Sequence, residues 1–234
     1  MRAANAAADA SGGKCLRLSM DTKATVVLGD YSRRGRARGL KAVAALDHDL
    51  ARDKEKLIPV GILEVKGGDL DLTFSTSPAK TADLMGDCFQ SWWRRHRHLH
   101  PGVEELVLNL DNGPESGGRR TRFLARMAEF ADWSGLRLHL VYYPPYHSKY
   151  NPVERCWGVL EKHWNGALLT DVAAALGRAA TMTWRGGEPL VRLVRKAYAK
   201  GRTVAGAARR KLEARLRRHP DLRWWDIRIH PQRV

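Results

Sequence analysis

The strongest constraint on the fold is the order in which apolar residues change their spacing between Cys15 and Trp164. In "CLRLSMD", Leu16, Leu18 and Met20 fall on one face and Arg17, Ser19 and Asp21 on the other, the period of a strand. "TKATVVLGDYS" continues as a second, β-branched strand, and "LIPVGILEV" and "DLDLTFST" pair around a Gly67-Gly68 turn. The spacing then lengthens. Met85, Cys88, Phe89 and Trp92 recur at helical intervals. "EELVLNLD" follows as a strand. Next comes a helix striped by Phe123, Met127, Phe130 and Ala131, with Gly135 as its stop. "LRLHLVYYPP" is another strand, and a third helix carries Val153, Trp157, Leu160 and Trp164. A leading antiparallel group followed by alternating helix and strand predicts an α/β fold, a mixed sheet flanked by helices.

The flanks read differently. Residues 1–14, "MRAANAAADASGGK", have no continuous apolar stretch and are expected to be a disordered lead-in rather than a signal peptide. The α/β domain is expected over 15–184. Residues 185–234 read as a basic helical C-terminal extension that ends in Trp224-Trp225 and a short β-like tail. The polar, Gly-containing stretch "RRGRARGLKAVAALDHDLARDKEK" reads as a loop. Both Trp pairs, Trp92-Trp93 and Trp224-Trp225, read as core rather than as platforms for stacked bases.

Charge bears on partners. The chain has 234 residues, a net charge of +16 and a pI near 10.3. From Trp184 onward fifteen Lys and Arg face four acids, which accounts for eleven of the sixteen net charges. Such an excess favours a polyanionic partner, and nucleic acid is the natural one. Cys15, Cys88 and Cys156 are far apart and odd in number, which argues against a disulfide scaffold or a zinc ribbon and fits a reducing cytoplasm. No apolar run is long enough to span a membrane.

Three acids stand where strand and helix patterns end. Asp21 closes one strand, Asp111 closes another, and Glu154 opens a helix that follows a third. Ligands of α/β sheets gather outside strand ends. Carboxylates there suit Mg²⁺, a hard cation that takes oxygen ligands. Two such ions roughly 3.5–4 Å apart clamp the attacking and leaving oxygens of a phosphoryl displacement. Each acid also has a plainer reading. Asp21 fits a strand-end turn, and Asp111 sits in Asp-Asn-Gly-Pro, a turn signal by itself. Asn151, Pro152 and Glu154 have the spacing of a helix cap. Spacing alone leaves both readings open. Glu161, seven residues beyond Glu154, is the alternative third ligand.

"LSMDTKATVVLGDYSRRG", "LVLNLDNGPESGGRRTRFLARM", "YYPPYHSKYNPVERCWGVLEKHWNG" and "LEARLRRHPDLRWWDIRIHP" together resemble bacterial insertion-sequence DDE transposases. The ISAzo-type group, with the Rhodopirellula-type transposase DDE domain, is the nearest in pattern. The resemblance runs in order from Cys15 to the C-terminus. It implies a ribonuclease-H-like fold and a triad of Asp21, Asp111 and Glu154 holding two Mg²⁺, for which Mn²⁺ can substitute. It also implies action on DNA, at element ends and at a target, in a bacterial cytoplasm at the nucleoid. Assembly as a homo-oligomer on DNA is compatible with it. Ser148, Lys149 and Asn151 match the last motif and are expected at the DNA, Lys149 against a phosphate.

The basic helix adds Arg209, Arg210, Lys211, Arg217 and Arg218 as expected backbone contacts. His139 reads as a satisfied strand residue, and His147 has no assigned role. Such proteins ordinarily carry a helix-turn-helix region before the first catalytic strand. This chain starts almost at that strand, which reads as an N-terminal truncation. Two other functions stay open: an inactive basic DNA-binding remnant, and a ribonuclease-H-like nuclease that cuts without joining.

Overall fold

The computed structural model describes residues 1–33, 35–36, 43–46, 55–144 and 150–232. Among them a sheet forms from β1 (Cys15–Thr22), β3 (Lys56–Glu64), β4 (Leu70–Ser75), β5 (Glu105–Leu110), β6 (Arg137–Tyr142), β7 (Leu190–Val194), β8 (Leu216–Arg218) and β9 (Asp226–Ile229). Its order is β7-β4-β3-β1-β5-β6-β9-β8, and the short β2 (Val26–Val27) pairs with β3 off this path. The run β4-β3-β1-β5-β6, antiparallel on the first side of β1 and parallel on the other, is the expected mixed sheet. The expected second strand is reduced to β2, because Gly29 takes φ +134 and turns the chain toward a single bridge with Leu169.

Strand alternation sorts side chains to two faces. On one face Leu16, Leu18 and Met20 of β1, with Ile58, Val60 and Ile62 of β3, meet α2 (Ala82–His96) and α3 (Thr121–Ser134). Phe89, Trp92, Trp93, Phe123 and Met127 fill this layer, so the first Trp pair is core as expected. On the other face Leu57, Leu63, Leu72 and Phe74 pack against Val153, Trp157, Leu160 and Trp164 of α4 (Pro152–Trp164) and against α5 (Val172–Ala180). Ser19 and Asp21 point to this second face, beneath α4.

The flanks depart from expectation. Residues 2–9 form helix α1 (Arg2–Asp9) rather than a disordered lead-in. Tertiary contacts hold it: Asn109 donates to Asn5 at 2.9 Å, Arg17 pairs with Asp9 at 2.7 Å, and Ala8 packs on Val107 and Val141. The C-terminal part contains the expected basic helix, α6 (Gly206–Arg215), but it also supplies strands. β7 pairs with β4, and β9 pairs with β6 and β8, so residues after 184 are part of the same sheet. β9 is the expected β-like tail, whereas β7 and the three-residue β8 are short edge strands that the sequence reading missed. Among the described residues no helix is long and apolar enough to cross a membrane.

Candidate functional site

Register brings the first two acids together. β1 and β5 run parallel with Met20 opposite Leu110, so Asp21 and Asp111 follow side by side at the same end of adjacent strands. Asp21 is 5% exposed and its Oδ2 accepts the Trp157 indole N–H at 2.8 Å. Asp111 starts the turn that ends β5. Its Oδ1 accepts from the Ser116 hydroxyl at 3.3 Å, and Tyr142 in turn donates to the Ser116 carbonyl at 2.9 Å. The Asn112 side chain accepts the Gly118 N–H at 3.1 Å and closes the loop.

α4 brings the third acid. Its N-cap residue is Asn151, yet the Asn151 side chain makes no cap hydrogen bond. Ser19 of β1 does this work: its hydroxyl accepts the Val153 N–H at 3.0 Å and donates to the Asn151 side-chain oxygen. Asn151 is therefore fully buried and ties α4 to β1. This corrects its expected place at the DNA surface, and it removes the capping box as an account of Glu154. Among the described residues the Glu154 carboxylate makes neither a helix-cap bond nor an ion pair. Gly61 lies opposite Asp21 on β3, and a Cβ there would sit 2.7 Å from the Trp157 ring and 2.9 Å from Val153. Its bare backbone lets α4 lie close on the sheet.

The electrostatics follow from this crowding. Burial and the charge of Asp21 push Asp111 up to about 6, against the pull of Ser116 and the Gly113 N–H. Burial, Asp21 and Asp111 push Glu154 up to about 7, with Lys23 opposing. Burial raises Asp21 as well, opposed first by the Trp157 hydrogen bond. All three acids thus disfavour their charged forms, Asp111 and Glu154 in part because of the neighbouring Asp21 charge. No Lys or Arg forms an ion pair with any of them among the described residues. Lys23 is committed to Glu161, which Arg33 also approaches at 3.9 Å, so the alternative third ligand is already paired.

Among the described residues the three acids offer hard oxygen donors, the donor type that Mg²⁺ and Mn²⁺ take. A divalent cation would relieve the repulsion that the protein leaves uncompensated. The side chains are not drawn into a closed sphere: among the described residues no three His, Cys, Asp or Glu stand as a ready-made metal site. The residues fit by donor chemistry and mutual charge.

The remaining expectations divide. Ser148, Lys149 and His147 lie outside the described residues. Arg209, Arg210, Lys211 and Arg217 are exposed. Arg218 is not: its guanidinium donates to the carbonyls of Gly118 at 3.1 Å and Arg223 at 3.0 Å, pairs with Glu213 and lies over the Trp224 ring. This corrects its expected role as a free phosphate contact. His139 is buried against Asp226 at 2.8 Å, as a satisfied strand residue should be. Sequence reasoning missed Ser19, Gly61 and Ser116 and placed Trp157 only in the core. The signal for Ser19 was present, two residues before Asp21 on the same strand face.

Among solved structures the chain resembles one described as "Mos1 transposase paired-end complex with left transposon end", at 10% identity and a TM-score of 0.47. That likeness covers 73% of this chain and 48% of the other, so the chain spans about half of that structure's chain. No curated protein matches the sequence. The family model of the Rhodopirellula transposase DDE domain matches residues 2–231, nearly the whole length. The chain belongs to the Rhodopirellula transposase DDE domain family.

Proposed function

We propose that Asp21, Asp111 and Glu154 hold two divalent cations, Mg²⁺ or Mn²⁺, and that the chain cuts DNA at element ends and joins the freed ends to a target. One observation carries this reading. A buried Asp21 and a half-buried Asp111 leave adjacent parallel strands together; Asp21 raises the pKa of Asp111, both raise that of Glu154 on the overlying helix, and no Lys or Arg is ion-paired with them among the described residues. Such an arrangement is costly for stability alone and pays off only when cations enter. The bound ions would supply Lewis-acid activation and charge neutralisation at the phosphodiester.

The protein's own groups then have defined tasks. Trp157 fixes one oxygen of Asp21 and leaves the other for the pocket. Ser116 orients Asp111, and Ser19 sets the height of Glu154 above the sheet by capping α4. In the cutting step a water oxygen bonds to phosphorus and the 3′ oxygen leaves with a proton, giving a 5′-phosphate and a 3′-hydroxyl. In the joining step that hydroxyl attacks a target phosphodiester, forms a new P–O bond, and releases the target's own 3′-hydroxyl. Lys149 and the exposed cations of α6 would meet the DNA backbone.

Plasmid nicking and strand transfer of pre-cut 3′ ends, each with Mn²⁺ and with EDTA, test the proposal. The expected result is metal-dependent nicking and joining in the parent and loss of at least about a hundredfold in Asp111→Asn, the scale at which one electrostatic catalytic group acts. Nicking without joining would identify a nuclease. Absence of both in a folded, DNA-binding parent would leave a binding remnant.

A further inference from the structure

Beside the carboxylates lies an open cleft of about 350 Å³. Four separate stretches wall it: the start of α2, the loop after β5, the start of α3, and the turn at residues 199–203 that follows β7. Lys80, Arg119, Arg120, Arg122, Lys200 and Arg202 line it. Only Asp83 and Glu115 oppose them, which leaves the lining four charges positive.

The acids do little to cancel this. Asp83 is taken by Arg122, whose Nε donates to it at 2.9 Å. Arg202 is 63% exposed and reaches Asp83 only at 3.9 Å. Arg119 lies over the Trp224 ring, 5.1 Å from its centre, which holds it at the rim. Lys80, Arg120 and Lys200 form no ion pair among the described residues. The first N–H groups of α3 add to the same potential, since its N-cap is Arg120 and no side chain caps it.

The cleft shares a loop and an electrostatic contact with the candidate active site. Pro114 and Glu115 in its wall belong to the loop that begins at Asp111, and the Lys80 charge acts on Asp21. Like charges gathered in a concave surface focus potential into it and concentrate counter-ions. The cations here are long, mostly exposed and drawn from three segments. A small anion would call for a closed, prearranged set of donors; a string of phosphates suits cations spread along an open trough.

We infer that this cleft seats the sugar–phosphate backbone of the DNA strand that reaches the three carboxylates. The assignment rests on the proposed action on DNA, but it places the main phosphate contacts at the mouths of α2 and α3 rather than on α6.

Binding of a short labelled duplex, measured by anisotropy over a salt series in EDTA, tests this without cutting. In Lys80→Gln/Arg120→Gln/Lys200→Gln the slope of log K against log salt is expected to fall by about 2 to 3, at about 0.9 per lost phosphate contact. The thermal melt of this variant should match the parent. If the triple variant does not fold, the single changes Arg120→Gln and Lys200→Gln should each lower the slope by about 0.9, and Arg120→Lys should restore it. An unchanged slope overturns the inference. So does a loss confined to Arg209→Gln/Arg210→Gln/Lys211→Gln on α6, or saturable pyrophosphate binding that the cleft variant abolishes while duplex binding stays intact. Cleft-dependent binding in a parent that never nicks DNA would sink the catalytic proposal and leave this one standing.

Discussion

At the scale of single residues, Glu154 and Asp111 are carboxyls that the fold holds away from their charged forms. Their folded-state pKa values, about 7 and about 6, lie above their ordinary values of 4.5 and 3.8. A carboxyl shifted upward binds more protons folded than unfolded across that window, so its contribution to stability is present at low pH and lost as pH rises. Without metal, the difference in melting temperature between Glu154→Gln and the parent should therefore widen in favour of the variant from about pH 4.5 to about pH 7, and Mg²⁺ should narrow it. A scanning-calorimetry pH series in EDTA and in Mg²⁺ reads this directly. Trp157 acts one bond away. Trp157→Phe keeps most of the packing but removes the N–H that holds Asp21 down, so Asp21 should titrate higher. The acid limb of metal-dependent nicking should move to higher pH, with a smaller change at alkaline pH; a uniform loss across pH would mark a packing defect only.

Among the elements, α4 decides whether the pocket exists, and Gly61 decides how closely α4 lies. Gly61→Ala places a methyl against Trp157 and Val153. Overpacking of this kind costs about 1–3 kcal/mol, so urea unfolding should show that loss with an unchanged m-value. Periodicity made most elements readable beforehand: the alternation in β1 already put Ser19 and Asp21 on one face, and the α2, α3 and α4 stripes are the buried ones. What the sequence concealed was non-local. The Asn151-to-Glu154 spacing imitates a local cap, but the hydroxyl that caps α4 comes from Ser19, 134 residues from Val153. α1 is stabilised by Asn109 and Arg17, which no local pattern could reveal, and the closeness of the three acids depends on strand register.

In the whole molecule the C-terminal segment is bound into the pocket's support. Arg218 and Trp224 clamp Gly118, where a Cβ would overlap the Trp224 carbonyl, and so brace the loop that starts at Asp111. Arg218→Ala should cost about 1.5–3 kcal/mol, the range for buried hydrogen bonds from a charged donor, in chemical denaturation. It should also raise the protease sensitivity of residues 112–120 more than that of α4. The placement of β7 and β9 adds a matter of timing. One rim of the sheet waits for β7 and the other for β9, both encoded after Trp184, so these two pairings join stretches far apart along the chain. Distant pairings of this kind form late. A growing polypeptide thus completes neither rim of this sheet until the stretch from Leu190 to Ile229 has left the ribosome.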